Sequence, residues 1–159
     1  MRLTTIEKIG FKWGVITFIL LSIYFIIMKY FGLIHIIELR MLNAGLMFFG
    51  VYKAVKEAKR NLQEFTYLKG IGTGLTTGAV SSFIFAIFGF IYLTSINPEF
   101  IESIRENEFF GSYINVYGAS LQIFIEGTFS SCLITYAVMQ RLKIGRLDFG
   151  DKISNQQDN

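Results

Sequence analysis

The sequence has very little of three residue types on which disulfides, metal sites and tight turns depend: its 159 residues include one cysteine, one proline and one histidine. A single cysteine cannot form an internal disulfide, so Cys132, within a long apolar run, is predicted to be a buried and inert packing residue. His35 has no second histidine and no cysteine pair to accompany it, so neither a metal nor another cofactor is predicted. Pro98 lies outside every long apolar run, as expected if those runs form uninterrupted helices.

Motifs of catalysis and nucleotide binding are also missing. No Gly-x-Ser-x-Gly, His-Glu-x-x-His or Walker-type lysine motif occurs. The closely spaced Gly70, Gly72 and Gly74 resemble part of a phosphate-binding loop, but that fingerprint needs a preceding β-strand, and here a basic linker precedes an apolar helix. Helix packing is therefore the preferred interpretation of these glycines, and we expect a protein that is not an enzyme.

Charged residues are scarce, at 17% of the chain, where soluble domains have about 25%. Apolar residues make up 52% and occur in long runs rather than in stripes along one helical face, which favours lipid as the solvent. The runs predict an all-α polytopic membrane protein, a four-transmembrane-helix bundle within residues 1–145. Its helices are predicted at about residues 11–30, 34–62, 70–96 and 112–141. The polar residues 146–159 are predicted to form a disordered cytoplasmic tail.

Lysine and arginine are unevenly distributed between the two ends of the predicted helices. Most precede the first run, lie between the second and third, or follow the fourth, whereas Lys29, Arg40 and Arg105 lie at the opposite ends. This asymmetry predicts that both termini and the middle loop are cytoplasmic, and it explains the net charge of +3 without nucleic acid as a partner. Binding of anionic lipid is a second possible role for these residues, but orientation alone is sufficient. The outer loop is predicted to hold a short amphipathic helix over residues 97–108.

Small residues recur along the third run. Every fourth position is small, and on a helix these positions stack along one face: Gly70, Gly74, Gly78, Ser82 and Ala86. Such a stripe lets a neighbouring backbone approach closely, which holds helices together in lipid. We predict that this stripe is the main packing seam of the bundle.

Glu126 is the most informative single residue, because a rise of about 1.5 Å per residue puts it near the bilayer midplane. It shares one predicted helical face with other polar or small residues, namely Asn115, Ala119, Gln122 and Ser130. We predict that this face points inward, since an ionised carboxylate in lipid costs several kcal/mol.

Three roles remain open for Glu126 and Gln122. They can form hydrogen bonds with Thr73, Thr77 or Ser81 across a helix interface, which is the preferred interpretation. They can also serve transport or a proton relay, or they can join two protomers.

The second run carries its polar residues in its first half, near the predicted outer headgroups: His35, Glu38, Arg40 and Asn43. Arg40 is the best candidate cation for Glu126, because its long side chain can extend inward along the helix. His35 and Glu38 can share a helical face, but two ligands do not make a metal site.

Several stretches resemble the domain-of-unknown-function family 4199. The similar segments are residues 42–51 (LNAGLMFFGV), residues 65–74 at the start of the third helix, residues 97–102 (NPEFIE) and residues 126–140. The resemblance implies four spans in a bacterial cytoplasmic membrane and supplies no catalytic residue. The outer loop is shorter than is usual in that family.

The leading functional hypothesis is an uncharacterised, non-enzymatic integral membrane protein that acts through association with itself or with another membrane protein. The alternative is a small transporter or channel subunit that uses Glu126 as a buried carboxylate. Four helices make a narrow bundle, so a transport pathway would require an oligomer.

Overall fold

The computed structural model describes residues 5–32, 37–62, 65–96, 101 and 115–157, without the side chains of residues 37–40 and 143–157. These residues form four long helices and no strand: α1 (Thr5–Tyr30), α2 (Ile37–Asn61), α3 (Tyr67–Ile91) and α4 (Val116–Gln157). A five-residue π-helical turn, Tyr92–Ile96, extends α3. The all-α prediction is confirmed for this part of the chain. His35 lies outside the described residues, and so does the outer-loop helix predicted over residues 97–108 except for residue 101.

The last helix is much longer than predicted, at 42 residues. It continues to Gln157, through most of the segment that the polar composition predicted to be a disordered tail. Elongation of an existing helix fixes one residue for each new hydrogen bond, whereas nucleation fixes several residues for the first. A helix that begins in the apolar run can therefore extend into polar sequence that would not nucleate a helix alone.

Helices α1 and α3 run in the same direction. A Cβ placed on Gly10 would meet Thr76, and one placed on Gly14 would meet Val80, at 2.8 Å from its Cβ. Farther along, the rings of Phe25 and Phe88 lie edge to face with centroids 6.0 Å apart. Residue numbers therefore increase together along both helices.

The other two helices run in the opposite direction. Along α4, Thr135 contacts Gly74, whereas the earlier residue Ile123 contacts the later Gly89. Along α2, Glu57 bonds Trp13 of α1, and the earlier Gly50 contacts the later Thr17. The bundle is thus up, down, up, down.

The principal apolar core lies where α2 packs against the other helices. Its buried members are Leu21, Met47, Val51, Val55, Val138 and Met139. Helix α2 contributes half of them, and its Val51, Ala54, Val55 and Ala58 are all fully buried. Positions three and four apart lie on one face of a helix, so this pattern explains how a helix with an otherwise polar C-terminal half enters the bundle.

Three helical segments are long and apolar enough to cross a membrane among the described residues: Thr5–Tyr30, Tyr67–Ile96 and Val116–Leu142. Two of these correspond to α1 and to α3 with its π-helical turn, and the third is the first part of α4. Their length and composition support a membrane protein.

Candidate functional site

The predicted small-residue stripe of α3 lies against α4. Gly70, Gly74, Gly78, Ser82 and Ala86 are all buried. Opposite them on α4 lie Met139, Thr135, Ser131 and Gly127, in that order along the seam. A Cβ on Gly74 would lie 2.5 Å from Thr135 Cγ2, and a Cβ on Gly78 would overlap Ser131 Cβ. The two backbones therefore approach more closely than a larger side chain permits.

Most hydroxyl groups of this seam are satisfied within their own helices, whereas Ser82 Oγ is buried without a hydrogen-bond partner among the described residues. Thr77 donates to the Thr73 carbonyl oxygen at 2.8 Å, and Thr135 donates to the Ser131 carbonyl oxygen at 2.6 Å. Ser81 donates to the Gly78 carbonyl oxygen at 3.0 Å and lies 3.5 Å from Met47 Sδ. Side-chain hydroxyls that bond the preceding turn need no partner on the next helix. Cross-helix hydrogen bonds from Glu126 to these hydroxyls, as the sequence predicted, are not formed.

Glu126 and Gln122 do not point inward: both are exposed on the outside of α4. The prediction was wrong because it used polarity to choose the inner face. The face that packs runs through Ile123, Gly127 and Ser131, one residue and so about 100° away from Gln122 and Glu126. A transport hypothesis that needs a buried carboxylate within one bundle is not supported by this arrangement.

The outer face of α4 is otherwise apolar. Leu121, Ile125, Phe129 and Leu133 recur every fourth residue, and each is more than half exposed. In the most apolar 18-residue stretch of each helix, only 17% of α4 is buried, against 28% of α1 and of α3. Glu126 lies about 15 Å along the helix from Val116, in the middle of this apolar surface.

We call this surface the α4 outer face. A shallow depression on it is lined by Gly118, Leu121, Gln122, Ile125, Glu126 and Phe129. Cys132 also lies on the exposed side of α4, so the prediction that it is buried was wrong. If α4 crosses a membrane, the apolar residues around Cys132 face lipid rather than the interior of the protein.

The polar residues predicted near the start of the second run are described only at Asn43, which is half-buried. The side chains of Glu38 and Arg40 lie outside the described residues. No hydrogen bond or ion pair to Glu126 occurs within the described part of the chain, and the pairing of Arg40 with Glu126 stays a prediction. No three His, Cys, Asp or Glu side chains converge within the described ranges.

A polar cluster joins α1 to α2, and sequence reasoning missed it. Lys12 Nζ lies 3.0 Å from Glu57 Oε1, and Trp13 Nε1 donates to Glu57 Oε2 at 2.7 Å. These residues are more than 40 positions apart, so no local pattern pairs them. A local signal was Trp13 itself, because an indole N–H normally finds an acceptor.

The cluster lies beyond the apolar stretch of α2, which ends near Tyr52. Hydrogen bonds from Lys12 and then Trp13 hold the pKa of the Glu57 carboxyl below its ordinary value, against the opposing effect of burial. Glu57 is therefore ionised at neutral pH, and its charge is balanced by Lys12.

Comparison with known proteins identifies a family. A family model described as "Protein of unknown function (DUF4199)" matches residues 12–143, which include nearly all of the three apolar segments, the α4 outer face and the Glu57 cluster. No curated protein and no solved structure matches the chain.

Proposed function

Since the chain belongs to the family of proteins of unknown function DUF4199, we propose that it is a non-enzymatic integral membrane protein of the bacterial cytoplasmic membrane that acts by associating with another membrane-protein surface. The observation that carries this proposal is the exposure of Glu126 and Gln122 in the middle of the apolar α4 outer face. The number of crossings and the orientation are parts of the same proposal.

The parallel directions of α1 and α3 support four crossings. Two consecutive spans that point the same way require the intervening chain to return through the membrane. Helix α2 runs antiparallel to α1, from Glu57 beside Trp13 to Gly50 beside Thr17, so it lies at the same depth. Its charged residues are confined to its two ends, and the uncharged stretch between them is residues 41–52.

The positions of the basic residues support the orientation. The bundle collects at one end the start of α1, the end of α2, the start of α3 and the end of the apolar part of α4. The described cations at that end are Lys8, Lys12, Lys53, Lys56, Lys59, Arg60, Lys69 and Arg141. By the positive-inside rule this end is cytoplasmic.

Single-cysteine labelling tests this topology. In a Cys132→Ser background, we expect a membrane-impermeant maleimide to label Ser95→Cys in intact cells, but to leave Thr5→Cys and Lys59→Cys unlabelled. All three side chains are exposed in the structure, so permeabilised cells provide the positive control for each site. Labelling of Lys59→Cys together with protection of Ser95→Cys would mean that α2 remains outside and that the chain crosses three times.

The α4 outer face supports association because lipid is a poor partner for it. A carboxyl group at the helix centre costs about 2.5–3.5 kcal/mol to insert. Apolar side chains gain no hydrophobic free energy when they leave lipid for another apolar helix. Gln122 and Glu126 therefore supply the specificity of a contact. A partner helix that donates to Glu126 removes the cost and leaves Leu121, Ile125 and Phe129 to pack around it.

Measurement of the oligomeric mass tests the association. We expect wild type to form an oligomer, or to be captured with a partner by crosslinking in native membranes. Replacement of both polar groups, Gln122→Leu with Glu126→Leu, should weaken this association about tenfold or more, since interhelical hydrogen bonds contribute about 1–2 kcal/mol each. The bundle itself should remain at least as stable, because both side chains are exposed in it.

Thr94→Leu provides the control, since Thr94 is an exposed polar residue beyond the end of α3. It should leave the association unchanged. A wild-type protein that is strictly monomeric in nanodiscs and captures no partner in native membranes would rule the proposal out.

A further inference from the structure

A groove lies between α1 and α2 at the basic end of the bundle. It has a volume of about 600 Å³ and is lined by Trp13, Lys53, Lys56, Glu57, Arg60 and Asn61. Unlike the depression on α4, most of its lining side chains are polar or charged. We call it the basic groove, and it does not share a lining residue with the α4 outer face.

The charge of the basic groove is not balanced within the described part of the chain. Its only carboxylate, Glu57, is paired with Lys12. Lys53, Lys56 and Arg60 are exposed and have no carboxylate within ion-pair distance among the described side chains. Three cations therefore surround the groove, which is an arrangement suited to an anion.

The two lysines are directed toward the apolar part of the bundle. Lys53 Nζ lies 5.3 Å from the ring centroid of Phe49, and Lys56 Nζ lies 5.7 Å from that of Tyr52. Both rings belong to residues four positions earlier, so each ammonium group reaches back along α2 by one turn. Helical side chains tilt toward the N-terminus of their helix, which here places the Lys56 ammonium group at the level of Tyr52, a residue type that is typical of the lipid headgroup region.

We propose that the basic groove binds a phosphate group, in the form of an anionic phospholipid headgroup. Arg60 offers a planar fork of donors and the lysines offer compact charges, both of which recognise phosphate oxygens. Trp13 and the ring of Tyr52 provide apolar surface beside the groove for the glycerol and upper acyl chain. A soluble phosphate shares this chemistry, and the experiment distinguishes the two sources.

The test measures thermal unfolding of the purified full chain in neutral detergent, with phosphatidylglycerol, phosphatidylcholine or inorganic phosphate added at matched ionic strength. A ligand of the folded state raises the unfolding midpoint in proportion to its affinity. We expect phosphatidylglycerol to raise the midpoint and phosphatidylcholine to have no effect. Each of Lys53→Gln, Lys56→Gln and Arg60→Gln should lower the affinity for phosphatidylglycerol about fivefold.

The groove triple variant combines Lys53→Gln, Lys56→Gln and Arg60→Gln. A second triple variant with the same change in charge provides the control. Lys8→Gln, Lys59→Gln and Arg141→Gln remove three exposed cations from the same end of the bundle without changing a residue that lines the groove. This variant should retain the affinity of wild type within about twofold, whereas the groove triple variant should lose more than tenfold.

Each outcome decides the proposal. Protection by inorganic phosphate in place of phosphatidylglycerol, with the same dependence on the groove residues, would assign the site to a soluble phosphate and overturn its assignment to a phospholipid. Equal losses in both triple variants would indicate diffuse attraction by the basic end and would overturn the proposal. It would also be overturned if the groove triple variant bound phosphatidylglycerol as wild type does. Association through the α4 outer face is measured by oligomeric mass, whereas lipid binding is measured by the unfolding midpoint. Either proposal can therefore fail without the other.

Discussion

Gly78→Ala is expected to destabilise the bundle by about 1–3 kcal/mol, the usual cost of forcing a methyl group into a packed interface. The new Cβ would overlap Ser131 Cβ and Oγ of α4. Ser131 is fully buried and its hydroxyl donates to the Thr128 carbonyl oxygen at 2.8 Å, so it cannot turn away at no cost. The helices must separate instead, and dispersion contacts along the seam are lost.

Gly72→Ala is the matched control on the same helix. The nearest heavy atom to a Cβ at this position is Ile6 Cγ2 at 3.9 Å, an ordinary contact distance. Alanine is also a better helix former than glycine by about 1 kcal/mol in water. We expect Gly72→Ala to leave stability unchanged or slightly raised. The measurement is unfolding by titration with a denaturing detergent in mixed micelles, followed by circular dichroism.

Ser131→Gly should restore stability to the Gly78→Ala variant. It removes the two atoms that the new methyl group overlaps and leaves Ser131 Cα, which is 3.5 Å from the new Cβ. The exchange keeps one small residue and one glycine at the same crossing, so the coupling between the two substitutions should be favourable by 1 kcal/mol or more. If Gly78→Ala and Gly72→Ala behaved alike, or if Ser131→Gly only added to the loss, the α3–α4 seam would not be packed as described.

The α3 side of this seam is readable from the sequence, because small residues at every fourth position have few purposes other than close helix contact. The α4 side was not found, although Gly127, Ser131 and Thr135 also recur every fourth residue. Polarity appeared to be the stronger signal, and it selected the face of Gln122 and Glu126. In water, polarity separates the inside of a protein from the outside. In lipid both faces of a helix are apolar, so side-chain size is the better guide to the packed face.

Contacts that depend on distant parts of the chain were not predictable in the same way. The position of α2 depends on the bonds of Glu57 to Lys12 and Trp13 and on the approach of Gly50 to Thr17. Each joins residues that are more than 30 positions apart, and one sequence contains no covariation to reveal them. The buried pattern of Val51, Val55 and Ala58 is visible as helical spacing, but it does not identify the partner helix.

Gly50→Ala is expected to disrupt the α1–α2 contact with an effect similar in size to that of Gly78→Ala, about 1–3 kcal/mol. A Cβ at Gly50 would overlap Thr17 Oγ1 and lie 3.1 Å from Thr17 Cβ. Thr17 is fully buried, and its hydroxyl donates to the Trp13 carbonyl oxygen at 2.7 Å. Because the preceding turn of α1 is bonded to Glu57 through Lys12 and Trp13, displacement of Thr17 should also disturb Trp13. Trp13 is the only tryptophan, so its fluorescence reports this contact directly.

Gly45→Ala separates this effect from a general response of α2 to substitution. Nothing lies within 4 Å of a Cβ at Gly45, so this variant should retain the stability and the Trp13 emission of wild type. Thr17→Ala should partly rescue Gly50→Ala, since it removes the overlapping Oγ1 and leaves only the Cβ contact at 3.1 Å. Equal tolerance of Gly45→Ala and Gly50→Ala would mean that α2 does not pack along α1 at this depth. The fourth crossing would then lose its structural support, because α2 would no longer have to return through the bilayer beside α1.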